Sequence, residues 1–571
     1  MTDIRRTVLW VVFTMSLVLL WDGWQKHNGH PSMFSPTPKA VSTAPAAPAS
    51  SGVPAATGVA GQASATAPAT AATAPSEKIT IRTDVLTVTV DTLGGDIVRA
   101  ELPKYLTSPD PTVTDQLLQM VRLKKPDPFT PEPVVLFNAG QHYRAQTGLV
   151  SAQGPLPAHT TPMTAVAGER DLKDGQDEVK LRLESAEVGG VKLIKTFTFK
   201  RGAYTVGVTH EVMNVGAAPV TPQVYLQLVR DGSTVTGGAA FTPSFTGPAI
   251  YNDKAKFHTL KFEDIDKGKV DIEKQANDGW VSMIQHYFAS AWLVNEAGNR
   301  EFFVRKLPGQ PGVRADTYAT GMVFTLPTVA PDASVTQQAT LFAGPQEENN
   351  LSKLAPGLER VKDYGMLTIL AEPLFWLLDK LHGFIGNWGW TIVALVLLLK
   401  IALYSLNASA YKSMGRMKAV APRINEMKER LKDKPQEMQQ EMMKIYREEK
   451  INPIGGCLPI FLQMPIFMAL YWVLLSTVEM RQAPWMLWIT DLSVRDPYFI
   501  LPLLMMASSL FQVWLNPPAA DPMQQKMMWI MPVAFGVMFF VFPAGLVLYW
   551  LTNNILSIAQ QWMINKQLGV N

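Results

Sequence analysis

Residues 387–406 are NWGWTIVALVLLLKIALYSL, an apolar run that contains one charged residue, Lys400. Tryptophan rings prefer the membrane–water interface, so Trp388 and Trp390 mark one end of a transmembrane helix. Lys412, which begins a cationic segment, marks the other end. Lys400 lies about twelve residues from either mark, or roughly 18 Å along a helix, inside a hydrocarbon core of about 30 Å. We therefore predict a transmembrane helix over 387–406.

A charge at that depth costs roughly 2.5 kcal/mol or more, so Lys400 should face protein or water rather than lipid. In the simpler interpretation, its aliphatic stem carries the ammonium out to the cytoplasmic headgroups. In the functional interpretation, Lys400 lies in a charged, hydrated cavity inside the membrane. The stem spans only part of the distance to the headgroups, which favours the cavity.

The first 76 of the 571 residues contain an apolar run and a linker. Arg5 and Arg6 precede an uncharged run that ends at Trp21, a pattern of either a cleaved signal peptide or an uncleaved anchor. No small-x-small cleavage site follows closely, which favours an anchor at 1–24 with a cytoplasmic N-terminus. Residues 25–76 are rich in Ala, Pro and Thr and bury too little apolar surface to fold, so they form a linker.

In residues 77–345 the spacing of apolar residues changes to that of β-strands. Short β-rich runs alternate there with Gly, Pro and Asp turns, which predicts a large antiparallel β-sandwich. The runs at 193–199 and 204–209, with an Arg-Gly pair between them, predict a hairpin. Histidines such as His210 and His286 are scattered without metal-ligand spacing, so we assign them neither a metal site nor a catalytic role.

Helical spacing returns at residues 358–381, where leucines recur every three or four positions with charged residues between them. This pattern predicts an amphipathic helix in the membrane interface, just before the lysine span.

The segment after the lysine span is hydrophilic. Residues 412–450 contain eleven Lys or Arg and seven Asp or Glu, net +4, which places them in the cytoplasm. Apolar residues spaced by three and four, interrupted by a Lys-Pro pair, predict an antiparallel helical hairpin at 408–452. Two interpretations of the charges on this hairpin remain equally good. They form a solvated face, or they form a surface that docks on the ribosome or on nascent chains.

Four more apolar segments complete the chain. The last uncharged run has 39 residues, too long for one span, and Phe-Pro-Ala-Gly near its middle predicts a turn. The predicted spans are 457–478, 498–515, 527–542 and 545–565. We therefore expect a multi-pass α-helical membrane protein with six transmembrane helices, of which the last five form the core bundle. Both termini are then cytoplasmic, and residues 25–385 lie outside.

Phosphate-cradling, dinucleotide-binding and zinc-protease motifs are missing from the sequence, so we predict neither an enzyme nor a cofactor. Within the last five spans Lys400 is the only charge, whereas ion-coupled transporters carry acidic residues in theirs. Polar side chains in or near the spans fit helix–helix hydrogen bonds and a hydrophilic groove around Lys400 equally well. They are Gln463, Ser508, Ser509, Gln512, Thr552, Asn553, Asn554 and Gln560.

Six short motifs, in order along the chain, closely resemble the bacterial YidC/Oxa/Alb family of membrane protein insertases. They are NWGW at 387–390, NPIGGCLP at 452–459, QMPIF at 463–467, RQAPW at 481–485, DPMQQK at 521–526 and FPAGLVLYW at 542–550. The segment DTLGGDI at 91–97 resembles the large periplasmic domain of Gram-negative members, a sandwich related to sugar-mutarotase folds.

The resemblance implies an inner-membrane protein that inserts, folds and helps assemble membrane proteins, alone or beside the SecYEG/SecDF translocon. It implies a groove open to the cytoplasm and lipid bilayer, with one positive charge that Lys400 matches. Many relatives carry arginine there; lysine keeps the charge but loses the planar fork that binds a carboxylate bidentately. The predicted client-groove residues are Lys400, Gln463, Gln512, Tyr549, Trp550 and Asn553, of which Tyr549 and Trp550 rest on the resemblance. A small-solute transporter and a structural Sec assembly factor are the alternatives.

Overall fold

The computed structural model describes residues 53–54, 76–108, 115, 118–119, 129–233, 245–307, 316–405, 408, 420, 422–424, 426–427, 429–431, 434–448, 458–515 and 522–567. The anchor predicted at 1–24 and all but three residues of the linker at 25–76 lie outside the described residues.

Between residues 78 and 345 the described chain forms eighteen β-strands. The first nine are β1 (Lys78–Arg82), β2 (Thr87–Asp91), β3 (Asp96–Leu106), β4 (Pro133–Val135), β5 (Arg144–Val150), β6 (Met163–Ala165), β7 (Glu178–Ser185), β8 (Val191–Lys200) and β9 (Thr205–Asn214). The others are β10 (Gln223–Asp231), β11 (Gly247–Asn252), β12 (Lys256–Thr259), β13 (Gln275–Ala276), β14 (Trp280–Gln285), β15 (Phe288–Leu293), β16 (Arg300–Leu307), β17 (Thr317–Thr325) and β18 (Ser334–Pro345).

These strands form two antiparallel sheets of nine strands each. The first has the order β1-β2-β3-β5-β10-β17-β16-β13, with β4 paired to β3; the second has the order β12-β11-β14-β15-β18-β9-β8-β7-β6. One apolar core takes side chains from both sheets, such as Val224 of β10 and Phe197 of β8. The predicted β-sandwich is therefore confirmed. The predicted hairpin is also confirmed, because β8 pairs with β9 and Phe199 lies opposite Val206.

The burial pattern shows which strands are covered on both faces. In β9 every second residue is buried, as expected for a strand with one face in the core. In β14 and β15 all residues are buried, because a second apolar cluster covers their outer face. That cluster includes Trp280 and Leu293 and adds Leu351, Leu358 and Val361 from the chain that follows the last strand.

The DTLGGDI segment forms the tight turn between β2 and β3. Gly94 and Gly95 have φ angles of 72° and 69°, which favour glycine. A Cβ atom at Gly94 would lie 2.0 Å from the carbonyl oxygen of His159, so only glycine fits there. The buried Lys195 donates hydrogen bonds to the carbonyls of Gly94 and Thr147, both at 2.6 Å.

The helices with defined bounds among the described residues are mostly in the C-terminal part of the chain. They are α1 (Phe262–Asp266), α2 (Glu348–Leu354), α3 (Thr368–Ile385), α4 (Trp388–Ala402), α5 (Pro435–Glu448), α6 (Leu458–Ser476), α7 (Ile500–Leu515), α8 (Pro522–Met538) and α9 (Ala544–Gln567). Within the part of the chain that the structure describes, no helix is both long enough and apolar enough to cross a membrane.

The helix predicted at 358–381 was wrong at its start. Leu358–Val361 and Gly365–Leu367 are separate 3-10 turns, and α3 begins only at Thr368. Gly365 has a φ angle of 64°, a left-handed conformation that interrupts a helix. At the other end α3 runs four residues further than predicted, to a left-handed cap at Gly386, which glycine favours.

The segments predicted at 498–515 and 527–542 also have shifted ends. Helix α7 starts at Ile500 because Asp496 accepts hydrogen bonds from the amides of Tyr498 and Leu501, at 3.0 and 2.7 Å. Helix α8 starts earlier, at Pro522, since proline fits the first turn of a helix. It stops at Met538, and residues 539–543 form hydrogen-bonded turns before α9.

Residues 420–431, where described, are helical and pack against α5 through Ile424, Met427 and Ile445. Two ion pairs cross between the segments: Arg423 with Glu448 at 2.8 Å and Arg430 with Glu441 at 2.5 Å. The later residue of the first segment, Arg430, pairs with the earlier residue of α5, Glu441, so the two segments are antiparallel.

Lys362 lies at the junction of the β-sandwich with the helices. Its side chain is inaccessible to solvent, and its Nζ atom lies 3.8 Å from Glu348 of α2 and 3.9 Å from Glu479 of the loop after α6. The ammonium also lies 3.4 Å from the centre of the Phe375 ring of α3. Burial lowers the pKa of Lys362 and raises the pKa of Glu479. The Lys362 ammonium therefore contacts α2, α3 and the loop after α6.

We predict that Lys362→Met destabilises the full-length protein by about 2 kcal/mol, because it leaves two half-buried carboxylates without their counter-charge. The thermal unfolding midpoint in nanodiscs measures the loss. The double variant Lys362→Met/Glu479→Gln should regain part of it. Lys180→Met is the matched control, since its ion pair with Glu178 is exposed and such pairs contribute about 0.5 kcal/mol. Equal shifts for Lys362→Met and the control would contradict the prediction.

Candidate intramembrane groove

Helix α4, which carries Lys400, is fixed at its first turn by Asn387. The side chain of Asn387 accepts a hydrogen bond from the amide of Trp390 at 3.1 Å. It also donates to the carbonyls of Pro484 and Trp485, at 3.1 and 3.2 Å. A Cβ atom at Gly389 would lie 2.2 Å from the Trp485 ring, so glycine is required for this close approach. The NWGW and RQAPW motifs therefore form one contact.

Lys400 lies in the last turn of α4 and is partly buried. Its Nζ atom donates a hydrogen bond of 2.7 Å to the hydroxyl of Ser557 on α9. Ser557 in turn donates to the carbonyl of Asn553 at 2.7 Å. Within the described residues no carboxylate pairs with Lys400, so its partner is a neutral hydroxyl.

Beside Lys400 is a cavity of about 20 Å³, which is room for about one water molecule. Helices α6 and α9 meet at this cavity, where Gln463 donates a hydrogen bond of 2.7 Å to the Asn553 side chain. The cavity is lined by Val396, Leu399, Lys400, Leu403, Gln463, Ile466, Tyr549 and Asn553.

Four of the six predicted groove residues therefore come together: Lys400, Gln463, Tyr549 and Asn553. Trp550 does not line the cavity; its ring packs edge-on against Phe467 and Phe539, at 4.1 and 4.8 Å between centroids. Gln512 lies half-buried on α7 and does not line the cavity either.

The predicted list missed Ser557, although it contacts the lysine directly. A spacing signal was present, because Tyr549, Asn553 and Ser557 recur every four residues and so share one face of α9. Gln560 continues the line with only 6% of its side chain exposed, and its amide forms no hydrogen bond with a described residue.

Asn554, next to Asn553, serves a different contact. Its amide donates to Ser509 of α7 at 2.8 Å and to Ser508 at 3.3 Å. These residues therefore hold α7 and α9 together, whereas Asn553 faces α6 and Lys400. The helix–helix interpretation of the polar residues is therefore confirmed for Asn554, Ser508 and Ser509, whereas Asn553 lies on another face of α9, beside the cavity.

Comparisons with known proteins agree with the motifs. The family model described as 60Kd inner membrane protein matches residues 380–570, and that of the YidC periplasmic domain matches residues 78–377. Proteins named membrane protein insertase YidC in Cupriavidus taiwanensis and Ralstonia nicotianae are each 51% identical to this chain over 571 residues. The alignments cover 99% and 100% of this chain, and 98% and 99% of those proteins.

The chain belongs to the YidC family of membrane protein insertases. It is therefore an inner membrane protein, and its β-sandwich is the YidC periplasmic domain. A solved structure of an active YidC insertase with its first transmembrane domain resolved is 19% identical. It has a TM-score of 0.38 and covers 84% of this chain and 91% of that chain.

We predict that Asn554→Ala and Ser509→Ala in this YidC chain each destabilise the helical bundle, by about 0.6 kcal/mol. The double variant should lose little more than Asn554→Ala alone, because the hydrogen bond that Ser509→Ala removes is already lost in that variant. Thermal unfolding midpoints of the four proteins in nanodiscs measure this cycle. Strictly additive losses would mean that the two side chains do not interact.

Proposed function

We propose that this chain inserts and folds membrane-protein clients through an intramembrane groove with the Lys400 ammonium on its wall. The observation that carries the proposal is the convergence of Lys400, Gln463 and Asn553 at one cavity within an apolar bundle. A client tail that enters hydrocarbon loses its hydrogen bonds to water. Polar groups on a groove wall replace some of those bonds, and the ammonium attracts acidic tails.

Entry of a client requires α6 and α9 to part near the lysine. The cavity of about 20 Å³ is too small for a peptide, and the Gln463–Asn553 hydrogen bond lies across it. A client amide can take over either half of this bond, so opening exchanges one hydrogen bond for another. No covalent step, nucleotide or metal is needed, and we propose that the chain is not an enzyme and uses no cofactor.

The apolar part of the client leaves sideways into lipid. Large apolar side chains are exposed on the outer faces of α4, α6, α7 and α8, as expected for helices that lipid surrounds. Examples are Leu397, Leu398, Ile401, Met464, Leu503, Leu504, Phe511, Trp514, Ile530 and Val537. Transfer of an apolar client helix from water to lipid is itself favourable and drives the step.

For the topology we propose six transmembrane helices, five of them in the core bundle, with both termini cytoplasmic. Helices α4, α6, α7, α8 and α9 overlap the five later predicted spans, and the hairpin at 408–452 carries the excess of positive charge. Residues 25–385, including the β-sandwich, then lie in the periplasm. Helix α3 exposes Ile369, Trp376 and Phe384, which suits the outer membrane interface.

For partners we propose the SecYEG/SecDF translocon and, through the hairpin at 412–450, the ribosome. Three of the described basic residues there, Arg423, Arg430 and Lys434, are already in ion pairs with glutamates. Lys444 and Arg447 remain exposed on one face of α5 with Gln436 and Gln440, where they suit phosphate contacts. A transporter is disfavoured because α4 and α6–α9 contain no acidic residue.

Substitutions at Lys400 should act according to the charge of the client. Attraction between unit charges about 4 Å apart is roughly 4 kcal/mol at a dielectric near 20, before desolvation is subtracted. We therefore expect Lys400→Ala to slow insertion of clients with acidic translocated tails about threefold, and Lys400→Glu about tenfold. Lys400→Arg should be tolerated, since the charge remains.

The measurement is protease protection of pulse-labelled clients with purified protein in liposomes, which also separates an insertase from a factor that only assembles Sec subunits. A client that differs only in a neutral tail is the control and should be affected much less. Insertion of acidic-tailed clients at the parental rate by Lys400→Glu would exclude a functional groove charge.

The proposed topology is tested with Asp174→Cys and Gln436→Cys, each in a Cys457→Ser background that removes the single native cysteine. Both positions are exposed. An impermeant maleimide added to intact spheroplasts should label Asp174→Cys alone, and permeabilised cells should show both. Equal labelling of the two in intact spheroplasts would refute the six-span arrangement.

A further inference from the structure

We infer that Ser557 positions the Lys400 ammonium in the groove while leaving its positive charge uncompensated for an acidic client. The inference rests on the proposed function and assigns part of it to a residue outside the family motifs that identify the chain. Ser557 is a positioning residue here, since it acts through the lysine.

The hydrogen-bond directions at Ser557 are determined by its chemistry. A serine hydroxyl has one donor and two acceptor lone pairs. Its donor is committed to the carbonyl of Asn553, at 2.7 Å along the same helix. The oxygen is therefore left as an acceptor, and the Lys400 Nζ atom donates to it at 2.7 Å. Because Ser557 is 5% exposed, water does not readily replace it.

A neutral partner has a different consequence from a charged one. Lys362 lies between Glu348 and Glu479, so its charge is balanced within the protein. The hydroxyl of Ser557 takes one of the three N–H donors of Lys400 and adds no negative charge. Two donors and the full positive charge remain for a carboxylate that enters the cavity.

Ser557 also bears on whether the Lys400 ammonium reaches the headgroups or stays in a cavity inside the membrane. A lysine stem is flexible and can carry its ammonium towards the headgroups. The Ser557 hydroxyl instead holds the ammonium against α9, next to a cavity that Tyr549 and Asn553 of the same helix face line. Loss of this acceptor should release Lys400 towards the membrane surface and leave the groove less positive.

The test compares Ser557→Ala, Ser557→Thr and Ser557→Asp in the full-length chain, reconstituted in liposomes with matched acidic-tailed and neutral-tailed clients. Ser476→Ala is the matched control, because Ser476 makes the same bond to its own helix, to the carbonyl of Trp472 at 2.5 Å, without a lysine. Insertion rates are compared at equal amounts of each variant in the membrane.

We expect Ser557→Ala to slow acidic-tailed clients about threefold, since hydrogen bonds to charged groups are strong, and to leave neutral-tailed clients nearly unchanged. Ser557→Thr keeps the hydroxyl and should restore the rate. Ser557→Asp should slow acidic-tailed clients more than alanine does, because its carboxylate neutralises the ammonium. Ser476→Ala should have no client-dependent effect.

Equal slowing of both clients by Ser557→Ala would overturn the inference, since a general packing defect does not depend on client charge. If Ser557→Ala and Ser557→Asp insert acidic-tailed clients at the parental rate while Lys400→Glu still slows them, the role of Ser557 is refuted and the proposed function stands. Parental rates for Lys400→Glu as well would overturn the proposed function. If Ser557→Ala fails to accumulate, the comparison of Ser557→Thr with Ser557→Asp decides, and equal rates would refute the role.

Discussion

The loop between α6 and α7 connects the two halves of the molecule. Arg481 donates a hydrogen bond of 2.7 Å to the carbonyl of Leu106, at the end of β3. Four residues on, the carbonyl of Trp485 accepts a hydrogen bond from Asn387 at the start of α4. The same loop caps α7 through Asp496, and its Val494 carbonyl accepts from the amide at the start of α9, at 2.7 Å. This loop therefore holds the starts of α4, α7 and α9.

Among the described residues, the buried Lys195 and Lys362 and the partly buried Lys400 are stabilised in three different ways. In the β-sandwich, Lys195 donates to two carbonyls. Burial lowers the pKa of Lys195 and raises the pKa of Asp96. At the junction, Lys362 lies between two carboxylates. Lys400 donates to the neutral hydroxyl of Ser557, and no carboxylate in the described part of the chain pairs with it. Lys400 thus keeps an unbalanced positive charge beside the cavity that it lines with Gln463 and Asn553.

Helix α9 uses one face for polar contacts with α7 and another for polar contacts beside the cavity. Asn553 and Ser557 are four residues apart and face α6 and Lys400, whereas Asn554, one residue on, bonds to α7. Successive residues on a helix point about 100° apart, so adjacent asparagines with the same chemistry take different roles. One face of α9 therefore bonds to α7, and the other bonds to α6 and α4.

The sequence alone determined the β-sandwich, its hairpin and the position of the charged apolar helix. These follow from the spacing of apolar residues, which determines secondary structure over a few residues of chain. It also predicted three of the residues that meet at the cavity, Lys400, Gln463 and Asn553, because polar side chains in apolar helices must find partners, and the family resemblance added Tyr549. Only the tertiary structure decided that Ser557 holds Lys400, that Trp550 packs against Phe467, and that Trp485 lies over Gly389. Such contacts join helices far apart in the chain, and the face a residue presents to a distant helix depends on packing, which no local pattern encodes.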